Sequence, residues 1–231
     1  MKAFRTTSLR SEDWLRDVIL GGQDGLVNVL GIVLGITAAS GNSQIIIAAS
    51  LAAAFAEAIS MGAVAYTSAS AEKDHYEKEF KKESEAVEKF PEQEREDVRQ
   101  IYMAKGFTGK LLDEVVVKIT SNKQVWVETM ADEQLGLKPI SSLSLLKRTV
   151  IVGLAAIIGA LIPIIPYFFL LQDPATKLTL LLSAASLFAL GFYEAKTYVG
   201  VPWKRGFQML LIGMGAALVG FLVGKIFGVS N

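Results

Sequence analysis

Four residues in the first third of the chain have the types and spacing of an ion path. Asp24 lies in the run D-V-I-L-G-G-Q-D-G-L-V-N-V-L-G-I-V-L-G-I, at 17–36. Glu57 lies in I-I-I-A-A-S-L-A-A-A-F-A-E-A-I-S-M-G-A-V-A-Y, at 45–66. Both runs have the length and apolar character of a membrane-spanning helix. An ionisable group at membrane depth costs about 3 kcal/mol on insertion scales, so two retained acids point to use. Asn28 follows Asp24 by four residues and Met61 follows Glu57 by four, so each pair shares a helix face. Two carboxylates, an amide oxygen and a thioether converging between helices would combine hard oxygen with soft sulfur. That donor set suits a borderline transition ion such as Fe(II) or Mn(II) better than magnesium or calcium. Asn28 and Met61 also fit ordinary helix packing; Asp24 does not, because a lone buried acid has no cheap structural role.

Such a site needs membrane helices to hold it, and the rest of the chain supplies them. The 231 residues are 52% hydrophobic, with a formal net charge of zero. Mean hydropathy is +0.40, between soluble and wholly membrane proteins, so both parts are expected. Charge is unevenly spread: residues 72–138 carry 16 acids and 12 bases, and the remainder is net basic. No basic patch with interleaved aromatics occurs, which argues against nucleic acid as a partner. There is no cysteine, hence no disulfide and no thiolate metal site, and His75 is the one histidine. The polar N-terminus does not resemble a cleaved signal peptide.

The fold class expected is an all-α integral membrane protein with five transmembrane helices. A helical cytosolic domain is inserted between helices 2 and 3. Residues 1–70 hold the N-terminal tail and the first two spans, about 18–39 and 45–69, with S-G-N-S-Q as a tight reversal between them. Trp14 suits the membrane interface. Residues 71–138 form the acidic helical domain. The second span runs on as a charged helix with Glu77–Lys81 and Glu85–Lys89 pairs, followed by a helix opening at Pro91, one capped by Thr108, and one with capping-box form at Ser121–Gln124. Val98, Ile101, Tyr102, Leu111, Leu112, Val115, Val125 and Trp126 are its candidate core. Residues 139–231 carry three more spans: 149–171, which Pro163 and Pro166 should kink; 178–198, with Glu194 near its end; and 207–227. Gly21/Gly25 and Gly31/Gly35 have the G-x-x-x-G spacing that lets helices approach closely, and Gly220, Gly224 and Gly228 read as packing residues.

Short-loop charges orient the spans. Lys2, Arg5, Arg10, Arg16, Lys138, Lys147, Arg148, Lys196, Lys204 and Arg205 fall on one side, and Lys177 and Lys225 on the other. The positive-inside rule then puts the N-terminus and the acidic domain in the cytosol and the C-terminus on the opposite side.

The sequence resembles the vacuolar iron transporter family over almost its whole length. The resemblance rests on G-Q-D-G-L-V at 22–27, S-M-G at 60–62, Y-M-A-K-G at 102–106, W-V-E-T-M…L-G-L at 126–137 and G-A-L-I-P-I-I-P at 159–166, in this order. It implies a five-helix homodimer that exports Fe(II) and Mn(II) from the cytosol in exchange for protons, with the metal as substrate and no organic cofactor. It also implies a cytosolic metal-collecting domain rich in Glu and Met, and a route past Asp24 and Met61. Plant-type members carry an acid shortly after the S-M motif, where this chain has Ala65; Glu57, one turn before Met61, is placed to take over that role. In the soluble domain the family's ligands fall near Glu83, Glu94, Asp97 and Met130. The methionine pair is reduced to Met130-Ala131, and the following acid is replaced by Gln134, with Glu133 adjacent. Glu194 is a candidate proton relay, or an interfacial partner of Lys196 or Lys204. Two other classes compete. Glu72-Lys-Asp-His75 is a literal E-x-x-H, the spacing of di-iron carboxylate bundles, and a membrane-attached ferroxidase would use it; such bundles use two copies. A non-transporting membrane scaffold would leave Asp24 and Glu57 without a job.

Overall fold

A computed structural model of the chain describes residues 7–136, 139, 141–198 and 200–228, with side chains described from residue 14 on. Lys2, Arg5, Leu137 and Lys138 and the side chain of Arg10, used in the readings above, lie outside the described residues. Among the described residues the regular structure is all helix: α1 (Thr7–Ala39), α2 (Ser43–Lys89), α3 (Pro91–Ala104), α4 (Gly109–Thr120), α5 (Lys123–Glu133), α6 (Ser142–Ile164), α7 (Pro166–Phe169), α8 (Gln172–Thr197) and α9 (Pro202–Phe227). Five of these, α1, α2, α6, α8 and α9, are long and apolar enough to cross a membrane, so the chain is an integral membrane protein. The chain divides into two compact units, residues 1–66 with 146–231, and residues 67–145.

In the first unit α1 is the central helix. One side of it, Leu26, Leu30 and Leu34, packs with Leu187 of α8 and with Met209 and Ala217 of α9. Another, Val29 and Val33, packs with Ile46 and Ala54 of α2, Ala160 and Ile164 of α6, and Ala175 of α8. Backbones approach closely wherever the small-residue spacing occurs. A methyl group on Gly21 or Gly25 would overlap the carbonyl of Val152 or Ala156 in α6, and one on Gly159 would overlap that of Gly22. Farther along, Gly220 and Gly224 of α9 sit against the carbonyls of Gly31 and Gly35. Both expected G-x-x-x-G faces are therefore helix contacts, each with its own partner helix. Lipid tails are as apolar as leucine, so this close packing is what draws the helices together.

The turns differ in detail from expectation. Between α1 and α2, Gly41 adopts φ 63°, and the Asn42 side chain accepts the Gln44 N–H at 2.9 Å and the Ile45 N–H at 3.3 Å. The third span begins earlier than expected, at Ser142, and does not continue through both prolines. Pro163 stays inside α6, the regular bonding pattern lapses at Ile165 although its backbone stays helical, and Pro166 starts the separate single turn α7. Each proline removes one helical N–H. The Thr179 hydroxyl of α8 donates to the Pro163 carbonyl at 2.9 Å, supplying a bond at the break. Nearby, the Tyr167 hydroxyl sits between the hydroxyls of Thr37, at 3.0 Å, and Thr176, at 2.9 Å, tying α1, α7 and α8 together.

The second unit holds the end of α2 with α3, α4 and α5. Val87, Val98, Leu112, Val116, Trp126, Val127 and Met130 form its core. Leu111 and Val125, expected inside, are exposed, because on their short helices they lie off the buried stripe. α3 starts at Pro91 as read. Thr108 stands at the α4 N-cap position without a side-chain capping bond, and α5 is capped by Asn122 rather than Ser121. Asn122 accepts from the N–H groups of Gln124 and Val125, the geometry of a good N-cap. Of the expected ion pairs on α2, Glu85–Lys89 forms at 3.3 Å, whereas Glu77 pairs backwards with Lys73 at 3.4 Å.

The backbone contacts give a controlled comparison on one helix. Gly224 has no room for a methyl group, while Gly215 faces open space. Overpacking costs about 1–3 kcal/mol, whereas alanine gains about 1 kcal/mol over glycine in a free helix position. Gly224→Ala should therefore lower the melting temperature of the purified chain and Gly215→Ala should hold or raise it. Equal melting temperatures would remove α1–α9 backbone contact as a source of stability.

Candidate functional site

α1 and α2 bring three of the four expected residues together. The Glu57 carboxyl of α2 lies beside the Asp24 carboxyl and the Asn28 amide of α1. Asp24 and Asn28 share a face because they are one helical turn apart. Met61 stands one turn farther along α2 and is half-buried like Asp24 and Glu57. Asn28 is exposed, so this chain by itself does not enclose the cluster. Among the described residues no three acids or histidines gather closely enough to hold an ion between them. The arrangement is thus an acid pair with an amide, open on one side, and it offers a cation two carboxylates plus neutral oxygen.

An acid that the sequence reading passed over lies two turns before Asp24. Asp17 is 6% exposed and accepts from the Arg148 Nε of α6 at 3.1 Å. Arg148 had been read only as a loop charge. Asp17 directly precedes the apolar run, and Arg148 lies at the start of the third span. Two opposite charges at the same end of adjacent spans were the available signal. The pair neutralises a carboxylate that would otherwise be buried alone.

In the helical unit Glu83, Glu94 and Asp97 lie near enough across α2 and α3 to feel one another's charge, though not gathered closely enough to hold an ion between them. Glu94 is 9% exposed. Burial, and after it the carboxylates of Glu83 and Asp97, push its carboxyl above the ordinary value of 4.5. Met130 and Glu133 are placed differently. Met130 is fully buried in the unit's core beside Val98 and Trp126, and Glu133 is ion-paired with Lys105, whose ammonium also lies 5.1 Å from the Tyr102 ring centre. Neither joins the acid group in this chain. Glu72 and His75 are exposed on α2, and no third ligand-type side chain joins them among the described residues. Glu194 is half-buried in the last turn of α8 and makes no ion pair with Lys196 or Lys204.

These features define a class: a polytopic, all-helical membrane protein with an acid pair inside its spans and a separate acidic helical unit. The sequence profile of the VIT family matches residues 15–225, and the chain belongs to that family. Among its relatives are Vacuolar iron transporter 2 of Oryza sativa subsp. japonica, 30% identical over 91% of this chain and 86% of the relative. Vacuolar iron transporter 1 of Tulipa gesneriana is 30% identical over 92% and 87%. Vacuolar iron transporter of Plasmodium falciparum is 31% identical over 93% and 82%.

The raised carboxyl of Glu94 has a signed consequence. Its neutral form is favoured in the folded unit, so its contribution to stability is full below the unfolded pKa and is lost as pH rises through the folded one. Glu94→Gln should therefore slow hydrogen exchange in Pro91–Ala104 relative to wild type at pH 7.5 and leave it unchanged near pH 4. Faster exchange in the variant at pH 7.5 would mean the carboxylate is stabilised where it sits.

Proposed function

We propose that the chain exports Fe(II), and with it Mn(II), from the cytosol by exchange for protons. The observation that carries this reading is the contact of Glu57 with Asp24 and Asn28 inside the spans. An ionised carboxylate has no donor, so two neighbouring carboxyls can share a hydrogen bond only when one of them carries a proton. A divalent ion needs both negative charges, and its arrival displaces that proton. When the ion leaves, the two close carboxylates repel and take a proton back. Metal and proton thus compete for the same oxygens, which is the physical basis of antiport. Met61 adds a soft donor that favours a transition ion over magnesium or calcium. The names of the relatives support iron as cargo.

Two further parts of the reading rest on charge. The basic short loops favour a cytosolic N-terminus and a cytosolic acidic unit, with the C-terminus outside or in a lumen. There Glu83, Glu94 and Asp97 would collect metal, with Glu133 recruited if an ion displaces Lys105. Met130 would serve only after a rearrangement of the core that now buries it. The exposed Asn28 favours a homodimer that closes the path with a second copy of α1. In this reading Glu194 would pass protons toward the basic end of α8.

In liposomes, Asp24→Asn should abolish Fe(II) flux while the protein stays folded, and Glu57→Gln should weaken the dependence of flux on pH. Acid on the outer side with neutral pH inside should speed export in the wild type. Flux that follows only metal gradient and voltage, with no proton movement seen by an internal pH dye, would make the site a uniporter. For the acidic unit, combined Glu83→Ala, Glu94→Ala and Asp97→Ala should lower Mn(II) affinity in calorimetry of the full chain by about tenfold or more, each tenfold being 1.4 kcal/mol. An unchanged isotherm would leave these acids as surface charge.

A further inference from the structure

A groove of about 920 Å³ runs along the first unit between α6 and α8, floored by Val18 and Gly22 of α1. It lies apart from the acid pair, since Gly22 and Asp24 are two residues apart and so project from nearly opposite sides of α1. α6 and α8 are tied at one end by the Thr179–Pro163 bond, and from there the groove separates them toward the end that bears Arg148 and Lys196. Its walls are almost wholly apolar. Leu154 and Ile158 of α6 stand on one side, more than half exposed, and Phe188, Phe192 and Tyr193 of α8 on the other. Trp203 of α9 closes the wide end, stacked edge-on against Phe192 with ring centres 5.3 Å apart.

That end is net cationic, with Lys196, Lys204 and Arg205 against Glu194. Lys196 lies one turn beyond Tyr193, and Lys204 follows Trp203; both are exposed and neither forms an ion pair with a described residue. The amino end of α9 opens at the same place. Its N-cap, Val201, supplies no side-chain bond and Pro202 occupies the first position, so the first-turn N–H groups of Trp203 and Lys204 lack a capping side chain. Free first-turn N–H groups beside two ammonium groups form a setting for a phosphate. A volume in the range of small-molecule sites, with apolar walls and a polar mouth at one end, matches an amphiphile with one charged head.

We infer that this groove holds an anionic glycerophospholipid of the surrounding bilayer. Its acyl chains lie between α6 and α8, and its phosphate sits at Lys196, Lys204 and the amino end of α9. Two lysines at an anionic headgroup suffice to prefer it over a zwitterionic one by roughly tenfold or more. Phe188 and Phe192 fix the wall because Gly206 leaves room for the Phe188 ring against α9.

The full chain, purified in mild detergent, is delipidated, given phosphatidylglycerol, phosphatidylcholine or free oleate at equal concentration, and examined by native mass spectrometry. One phosphatidylglycerol should be retained per chain, with phosphatidylcholine and oleate retained about tenfold less or weaker still. Ala189→Trp fills the groove from an exposed position and should abolish retention. Lys196→Ala with Lys204→Ala should abolish the preference for phosphatidylglycerol while the melting temperature without lipid stays as in wild type. Equal retention of all three lipids, or retention untouched by both variants, would reduce the groove to ordinary lipid contact and overturn the assignment. The chain has no cysteine, so Ala189→Cys introduces a single thiol. Efficient disulfide cross-linking of this variant between chains in intact membranes would seat a second copy in the groove and equally overturn it.

Discussion

The first unit depends on carbonyl oxygens meeting glycine α-carbons. In lipid there is no hydrophobic gain from putting one apolar helix against another, so association falls to dispersion at short range and to polar contacts. α1 meets α6 through Gly21, Gly22, Gly25 and Gly159, and meets α9 through Gly31, Gly35, Gly220 and Gly224. Fixed on two sides by backbone, α1 carries Asp24 and Asn28 at a set height and rotation. α2 meets α6 in the same way, with Gly153 against the Ala58 carbonyl, one residue from Glu57. The acid pair is therefore positioned by atoms that have no rotamers.

Several polar groups in the spans are paired within the chain, whereas the Ser50 and Ser183 hydroxyls are buried with no hydrogen-bond partner among the described residues. Asp17 has Arg148, Thr179 has the Pro163 carbonyl, and Tyr167 has two threonines. The polar side chains beside Glu57 are Asp24 and Asn28. Pairing distinguishes these acids more clearly than burial does, because Asp17 is the most buried acid described and is the one neutralised by an arginine.

The sequence alone carried much of this. Span number, span order and the glycine faces were legible because hydropathy and small-residue spacing are local signals, and helices in lipid satisfy their own backbone. That Asp24 and Asn28 share a face of α1 was legible because i,i+4 spacing fixes it; which helix faces them is set by packing. What was not legible depended on partners distant in sequence. Asp17 meets Arg148 across 131 positions. Met130 looked like a ligand by resemblance, but a thioether serves a core as well as a metal, and only the packing around Trp126 shows which role it fills here. Asn122 displaced Ser121 as a cap because either residue type can do it and the one-residue choice is set by the turn.

The break between α6 and α7 has a mechanical consequence. The bending stiffness of a helix comes from its ladder of i→i−4 bonds, and Pro163 and Pro166 remove two rungs within one turn. Curvature imposed anywhere on α6 will concentrate there, since the rest of the helix is stiffer. The Thr179 hydroxyl is a lateral tether across this compliant point, and unlike a backbone rung it can release its acceptor by a single rotation about χ1.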